Sequence, residues 1–300
     1  MTIIDFHAHT FPEAIAARAV AQLSAASHTK AFTDGTETGL RASMRQAGIG
    51  LSVILPVATQ PRQVVKVNDA SLRINEQTAG TGLMSFGCMH PDFEDWHAEL
   101  GRIRAAGIRG IKLHPIYQGV DFDDIRYLRI LGRAAELGLC VLIHAGLDVG
   151  LPGAVHASPQ MILHALREVG PMTLILAHMG GWRCWDEVLD LLPATGAYID
   201  TSFSLGRMTP NGDGWYENKT APQCDAALQM LDAERFMALV RAFGVRRVLF
   251  GSDSPWADQA EALKAFRELP LSEEEQALIL RDNALQLIGD TGSGQTMVAK

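Results

Sequence analysis

The segment Ile4-Asp5-Phe6-His7-Ala8-His9 sets two imidazoles two residues apart inside an apolar run. On a strand, residues i and i+2 share a face, so His7 and His9 point the same way. The same parity puts Ile3 and Asp5 with them, and puts Ile4, Phe6 and Ala8 on the opposite face, suited to packing against helices. Asp5 is then expected inside, where a buried carboxylate needs a cation or a donated N–H. Three further apolar runs end in a polar side chain: Leu142-Ile143-His144, Leu176-Ala177-His178 and Gly251-Ser252-Asp253. Any one of these histidines alone reads as a satisfied core residue. Together, imidazoles with one carboxylate suit a divalent cation, zinc first, with manganese, iron or cobalt also accommodated. An open coordination position on zinc holds water and lowers its pKa to about 7. In that reading Asp253 touches the metal and takes a proton from the water, while His178 serves as general acid–base or polarises a substrate oxygen.

Gly110-Ile111-Lys112-Leu113-His114-Pro115 adds Lys112 and His114 on one shared face. A lysine directed inward is costly unless it is paired, deprotonated or modified. It can grip a substrate carboxylate as an ammonium. It can instead be carboxylated and bridge two metals, with His144 and His178 on the second ion, or it can snorkel out at the strand end. The substrate-binding reading is preferred, with His114 beside it.

These residues need strands to carry them. Eight β-rich apolar runs occur at 3–9, 49–57, 83–90, 108–114, 139–145, 172–178, 197–202 and 245–253, separated by segments with apolar residues three or four apart. The helical segments include 63–79, 96–106, 125–137, 159–169 and 185–192. Gly107, Gly138, Gly170 and Gly244 fall between helix and strand, where a left-handed residue ends a helix. The alternation predicts an α/β chain, a single (β/α)8 TIM barrel over residues 1–289, whose strand ends converge on one mouth. A doubly wound open sheet fits less well, because no Gly-x-Gly-x-x-Gly follows the first strand. Ser272 and Glu275 have capping-box spacing, so a last helix is expected from there to about 288, followed by a flexible tail over 290–300. The stretch 206–222, with Pro210, Gly212, Gly214 and Trp215, is expected as a long loop on the active face. Trp182 and Trp256 are candidate pocket walls. Arg62, Tyr117, Gln118 and Arg207 lie on loops as candidates to bind a carboxylate.

The chain has 300 residues, 47% of them hydrophobic, and a formal charge of −8. That balance excludes a basic nucleic-acid groove and favours a small-molecule substrate. Cys88, Cys140, Cys184 and Cys224 form no C-x-x-C pair and read as thiols in a reducing compartment. The N-terminus lacks a signal-peptide pattern and no apolar run is long enough for a bilayer. A cytoplasmic protein without a membrane partner is expected.

With these motifs in view, the chain resembles the amidohydrolase superfamily, and within it the amidohydrolase-related branch that includes aminocarboxymuconate-semialdehyde decarboxylase-like enzymes. The resemblance rests on the His7-x-His9 segment, Gly110–Pro115, Ile143-His144-Ala145-Gly146, Ala177-His178-Met179-Gly180-Gly181 and Phe250-Gly251-Ser252-Asp253-Ser254-Pro255. Asp282-Asn283-Ala284 before Leu287 resembles the family's last helix. It implies metal ligation by His7, His9, His144 and Asp253, with His178 as the acid–base residue beside the metal. It implies one divalent ion, commonly zinc, and either hydrolysis of a C–O or C–N bond or non-oxidative removal of a carboxylate. Some wider members carry a carboxylated lysine on strand four, whereas many decarboxylases of the branch lack that lysine. Lys112 therefore favours hydrolysis of a small carboxylate-bearing lactone, ester or amide. A decarboxylase is the alternative, and a non-enzymatic metal-binding barrel a third reading. The family also suggests a homodimer.

Overall fold

Runs such as Cys140–Ile143 and Leu174–Leu176 are apolar on both faces, and only a sheet covered on both sides can hold them. The computed structural model describes residues 2–212 and 227–289 and places these runs in parallel strands. They are β1 (Ile3–Ala8), β2 (Ile49–Ile54), β3 (Leu83–Ser85), β4 (Gly87–Cys88), β5 (Gly110–Leu113), β6 (Cys140–Ile143), β7 (Leu174–Leu176), β8 (Tyr198–Asp200) and β9 (Val248–Leu249). β1, β2 and β3 pair in that order, and β4 to β9 pair in sequence order. β3 and β4 are the single expected run 83–90, interrupted at Phe86, whose N–H still donates to Ile54 O at 3.0 Å.

The other seam joins β1 to the segment after β9. Phe6 N donates to Phe250 O (2.8 Å), Asp253 N to His7 O (2.8 Å) and His9 N to Ser254 O (2.7 Å). These bonds close the ring into the barrel, with the polar strand ends at one mouth.

Helices form where the apolar period predicts them: Val64–Asn75, Trp96–Ala105, Ile125–Glu136, Pro159–Val169 and Trp185–Leu191. Ile125–Glu136 shows the cause. Tyr127, Ile130, Leu131 and Ala134 fall on one buried stripe, and the Asp124 side chain caps the start by accepting from Arg126 N. Helices Glu13–Ser27 and Glu37–Ala47 also fill the interval between β1 and β2. The last helix begins at the Ser272–Glu275 capping box, passes through a π turn at Leu278–Asp282 and ends at Ile288. Ala284 and Ile288 pack with Ile4, Leu51 and Leu142, so this helix plugs the bottom of the ring. The expected tail at 290–300, Cys224, and the part of the expected loop from Gly214 through Trp215 to Pro222 lie outside the described residues.

The parity expected along β1 is corrected by a bulge. Ile4 and Phe6 pack with Val53, Phe86, Leu142 and Leu249 on the barrel axis, while Ile3 and Ala8 join the outer layer with Leu40 and Met44. Asp5 pairs with Ser52 and points outward. The register then shifts between Asp5 and Ala8, so that an extra residue resets the alternation and returns the histidines to the mouth. Outside the ring, Asp5 accepts four hydrogen bonds: His7 N (3.1 Å), Ser252 N (2.9 Å), Ser252 Oγ and Gln259 Nε2 (2.7 Å). Those donors offset part of the cost of its burial, which still raises its pKa to about 6.

Candidate active site

Three of the expected residues meet at the seam. His7 Nε2 lies 3.2 Å from His9 Nε2, and Asp253 Oδ1 lies 3.3 Å from the first and 3.1 Å from the second. The far nitrogen of each ring is already committed. His9 Nδ1–H donates to Leu55 O at 2.8 Å, and a carbonyl can only accept. His7 Nδ1 sits 2.7 Å from Asp200 Oδ2. Both Nε2 atoms therefore turn lone pairs toward each other and toward a carboxylate oxygen. Three acceptors in contact need a shared positive charge. Four-coordinate zinc with bonds of about 2.0–2.2 Å spaces neighbouring ligand atoms about 3.4 Å apart, close to these separations. The residues present fit a divalent ion.

Asp253 adopts φ 71° and His178 φ 60°, left-handed conformations that cost non-glycine residues about 1–3 kcal/mol and concentrate at functional sites. Gly251 makes room beside His7, since a Cβ there would lie 2.8 Å from His7 Cβ.

His178 and His144 stand next to this group. The His7 and His178 ring centroids are 5.3 Å apart, and His178 Nε2 lies 3.1 Å from His144 Nδ1. The outer nitrogen of His144 donates to Leu147 O at 3.0 Å, so its Nδ1 faces the centre. Burial, with neighbouring cationic groups, holds His7, His114 and His178 well below the usual histidine range, so these rings are neutral. Burial lowers His144 too, against the pull of Asp148. Burial raises Asp253, and the contact with His9 opposes it.

Lys112 is 1% exposed, so it does not snorkel. Burial lowers its amine to about 8, while Asp200, Asp253 and Asp148 pull the other way. His114 is stacked between Tyr117 (centroids 4.0 Å apart) and His144 (4.4 Å). Asp148, held by Gly150 N at 2.7 Å, aims Oδ2 at His114 Nε2 (3.8 Å) and His144 Nε2 (3.7 Å). Both distances are too long for hydrogen bonds, and a bridging atom fits between. His144 Nε2 carries the proton given to Leu147 O, so this second group is less suited to a cation than the first.

These groups line a cavity of about 890 Å³ whose walls include Trp182, Phe203 and Trp256. Tyr117 reaches it as well. Arg62 and Arg207 do not line it, and Gln118 serves the fold instead, donating to Ala58 O and Met89 O and accepting from Tyr127. Residue types alone passed over Asp200 and Asp148. Asp200 carried the same signal as Asp253, a carboxylate ending a buried strand in Tyr198-Ile199-Asp200. Asp148 lies in a loop, where only its spacing to Gly150 hinted at a fixed turn.

The sequence model described as amidohydrolase matches residues 4–289. No curated protein matches the sequence. Among solved structures, an uncharacterised TIM-barrel protein of Bordetella bronchiseptica superposes with a TM-score of 0.71 at 17% identity, covering 96% of this chain and 98% of its own. A Pseudomonas putida protein provisionally designated a 2-pyrone-4,6-dicarboxylic acid hydrolase gives 0.61 at 21% identity, covering 97% and 99%. A dihydroxybenzoic acid decarboxylase of a Polaromonas species, with bound manganese and the inhibitor 2-nitroresorcinol, gives 0.63 at 15% identity, covering 96% of each chain. At these identities the likeness is one of fold. Among the described residues, no helix is long and apolar enough to cross a membrane.

Proposed function

The chain belongs to the amidohydrolase family and is an enzyme of that superfamily; on that premise we propose that it is a metal-dependent hydrolase of a small carboxylate-bearing lactone, ester or amide. The observation that carries this is the convergence of His7 Nε2, His9 Nε2 and Asp253 Oδ1 within 3.3 Å, with both rings anchored from behind. His144 Nδ1 is the fourth candidate ligand. Zinc suits this donor set first, and manganese is the alternative.

Bound there, the ion supplies Lewis acidity toward a substrate oxygen and makes water a better nucleophile at neutral pH. The protein's own groups do the rest. Asp253, whose carboxylate burial makes more basic, accepts the proton of the attacking water. His178, neutral and with its Nε2 lone pair turned inward, accepts a proton from the hydroxyl that the added water brings and passes that proton to the leaving oxygen or nitrogen. Lys112 gives the substrate carboxylate a counter-charge inside the cavity, and His114 lies beside it. The stacked rings and tryptophans exclude water around the reacting bond.

A second reading, non-oxidative decarboxylation, is favoured by one feature of the cavity. Trp182, Phe203 and Trp256 offer apolar walls to an aromatic acid, and the Polaromonas neighbour is a decarboxylase. The deciding experiment gives zinc- and manganese-loaded protein a panel of pyrone and other carboxylated lactones beside a panel of hydroxybenzoates. Ring opening with proton release and no CO2 is expected. CO2 evolution with every lactone intact would transfer the assignment to the second reading. Full turnover by an Asp253→Asn variant would remove the proposed role of that residue in either case.

A further inference from the structure

Behind the two histidine pairs lies a polar unit with no surface exposure. Asp200 ends β8 and Ser202 follows it two residues later, and both are fully buried. Asp200 Oδ2 accepts from His7 Nδ1–H at 2.7 Å. Its other oxygen accepts from His178 N (3.0 Å), Ser202 N (3.1 Å) and Ser202 Oγ. Ser202 then turns to His178: its carbonyl lies 3.1 Å from His178 Nδ1, which must donate to it. Ser202 Oγ, 3.0 Å from Nδ1 of both His7 and His178, stands between the two rings.

We propose that Asp200 and Ser202 form one positioning unit that fixes His7 and His178 in the Nδ1–H tautomer, leaving both Nε2 lone pairs directed into the mouth. The inference rests on the reading of His7 as a metal ligand and His178 as the acid–base residue. A buried carboxylate can satisfy this many donors only from a single orientation, so one side chain sets the His7 ring directly and the His178 ring through Ser202. It also holds the N–H of His178, whose backbone is left-handed. Ligand histidines are commonly held in this way by a carboxylate or carbonyl on the far nitrogen, and loss of that partner weakens metal binding about 10–100-fold.

Asparagine at 200 distinguishes positioning from filling space. Its oxygen should turn to the side with three donors, which leaves its NH2 facing His7 Nδ1. His7 must then carry its proton on Nε2, where the ion should bind. The test is 15N NMR of imidazole nitrogens in the metal-free full-length protein, with signals assigned by His7→Gln and His178→Gln, beside zinc affinity measured by chelator competition. Wild type is expected to show both rings as Nδ1–H. Asp200→Asn is expected to switch His7 to Nε2–H and weaken zinc by at least tenfold. Ser202→Ala removes Oγ but keeps the carbonyl that accepts from His178 Nδ1–H, so His178 should remain Nδ1–H. An Nε2–H signal for either ring in wild type would overturn the proposal, whether or not the variants fold. So would Asp200→Asn that keeps the His7 tautomer and a zinc affinity within twofold, with only thermal stability lowered. Wild type with the expected tautomers but no zinc bound would sink the metal reading and leave the positioning unit standing.

Discussion

His7 occupies its place because the residue opposite has no side chain. A Cβ at Gly251 would meet His7 Cβ at 2.8 Å and Ser202 Cβ at 3.4 Å, and both are atoms rooted at the backbone. Gly251→Ala should therefore move the His7 ring, weakening zinc at least tenfold while costing about 1–3 kcal/mol in stability. Calorimetric titration with zinc and urea unfolding would check the two parts, and unchanged affinity would show that the mouth has slack. Lys112 gives a pH signature of definite sign. Its amine is lowered from 10.5 to about 8 by burial. Between those values the unfolded chain binds more protons than the native protein, so stability rises with pH across that window. The burden below pH 8 is on the order of 3 kcal/mol. Comparing metal-free wild type with Lys112→Met in urea from pH 7 to 10.5, the wild type should gain on the variant as pH rises. A constant difference would mean that Lys112 is already neutral, paired or carboxylated.

At the scale of elements, the outward Asp5 ties β1 to the turn after β9 and to helix Gln259–Arg267 through Ser252 and Gln259. Removing it leaves several buried donors without an acceptor, each costing about 1–3 kcal/mol. Asp5→Ala should then lower stability by at least 3 kcal/mol. Amide exchange should speed first at Phe6, His9 and Asp253, whose N–H groups form the seam; uniform acceleration over all strands would argue against a local clamp. The same stretch shows where sequence patterns stop. Period-two alternation is a rule for regular strands, and it correctly pairs Lys112 with His114. On β1 a register shift between Asp5 and Ala8 separates Asp5 from the histidines it was grouped with. A bulge depends on the partner strand, which local periodicity does not contain. Helical stripes were legible because each is set by one segment against the barrel, as in Ile125–Glu136.

Over the whole molecule, the barrel and most of its mouth were readable because βα alternation and polar strand ends are properties of single segments. What was not readable came from long-range contact: Asp200 behind His7 across 193 positions, and Asp148 in a loop fixed by its own turn. That same long-range geometry joins metal binding to the stability of the ring. His7 and His9 come from the first strand and Asp253 from the segment after the last, so their shared ion would tie the seam that the backbone bonds at Phe6, His9 and Asp253 already close. An unfolded chain brings these residues together only by closing a loop of nearly its full length, so binding should favour the native state strongly. At a free metal concentration about 1,000 times Kd the gain is about 4 kcal/mol, on the order of 8 °C in Tm for a chain of this size. Chelation should lower Tm by that amount, and zinc should restore it. His9→Ala should remove most of the response without comparable loss in the chelated protein, because His9 is the most exposed of the three. If chelation leaves Tm unchanged while zinc is shown to leave the protein, the ion does not bridge the seam, and the ligands must be drawn from one side of it.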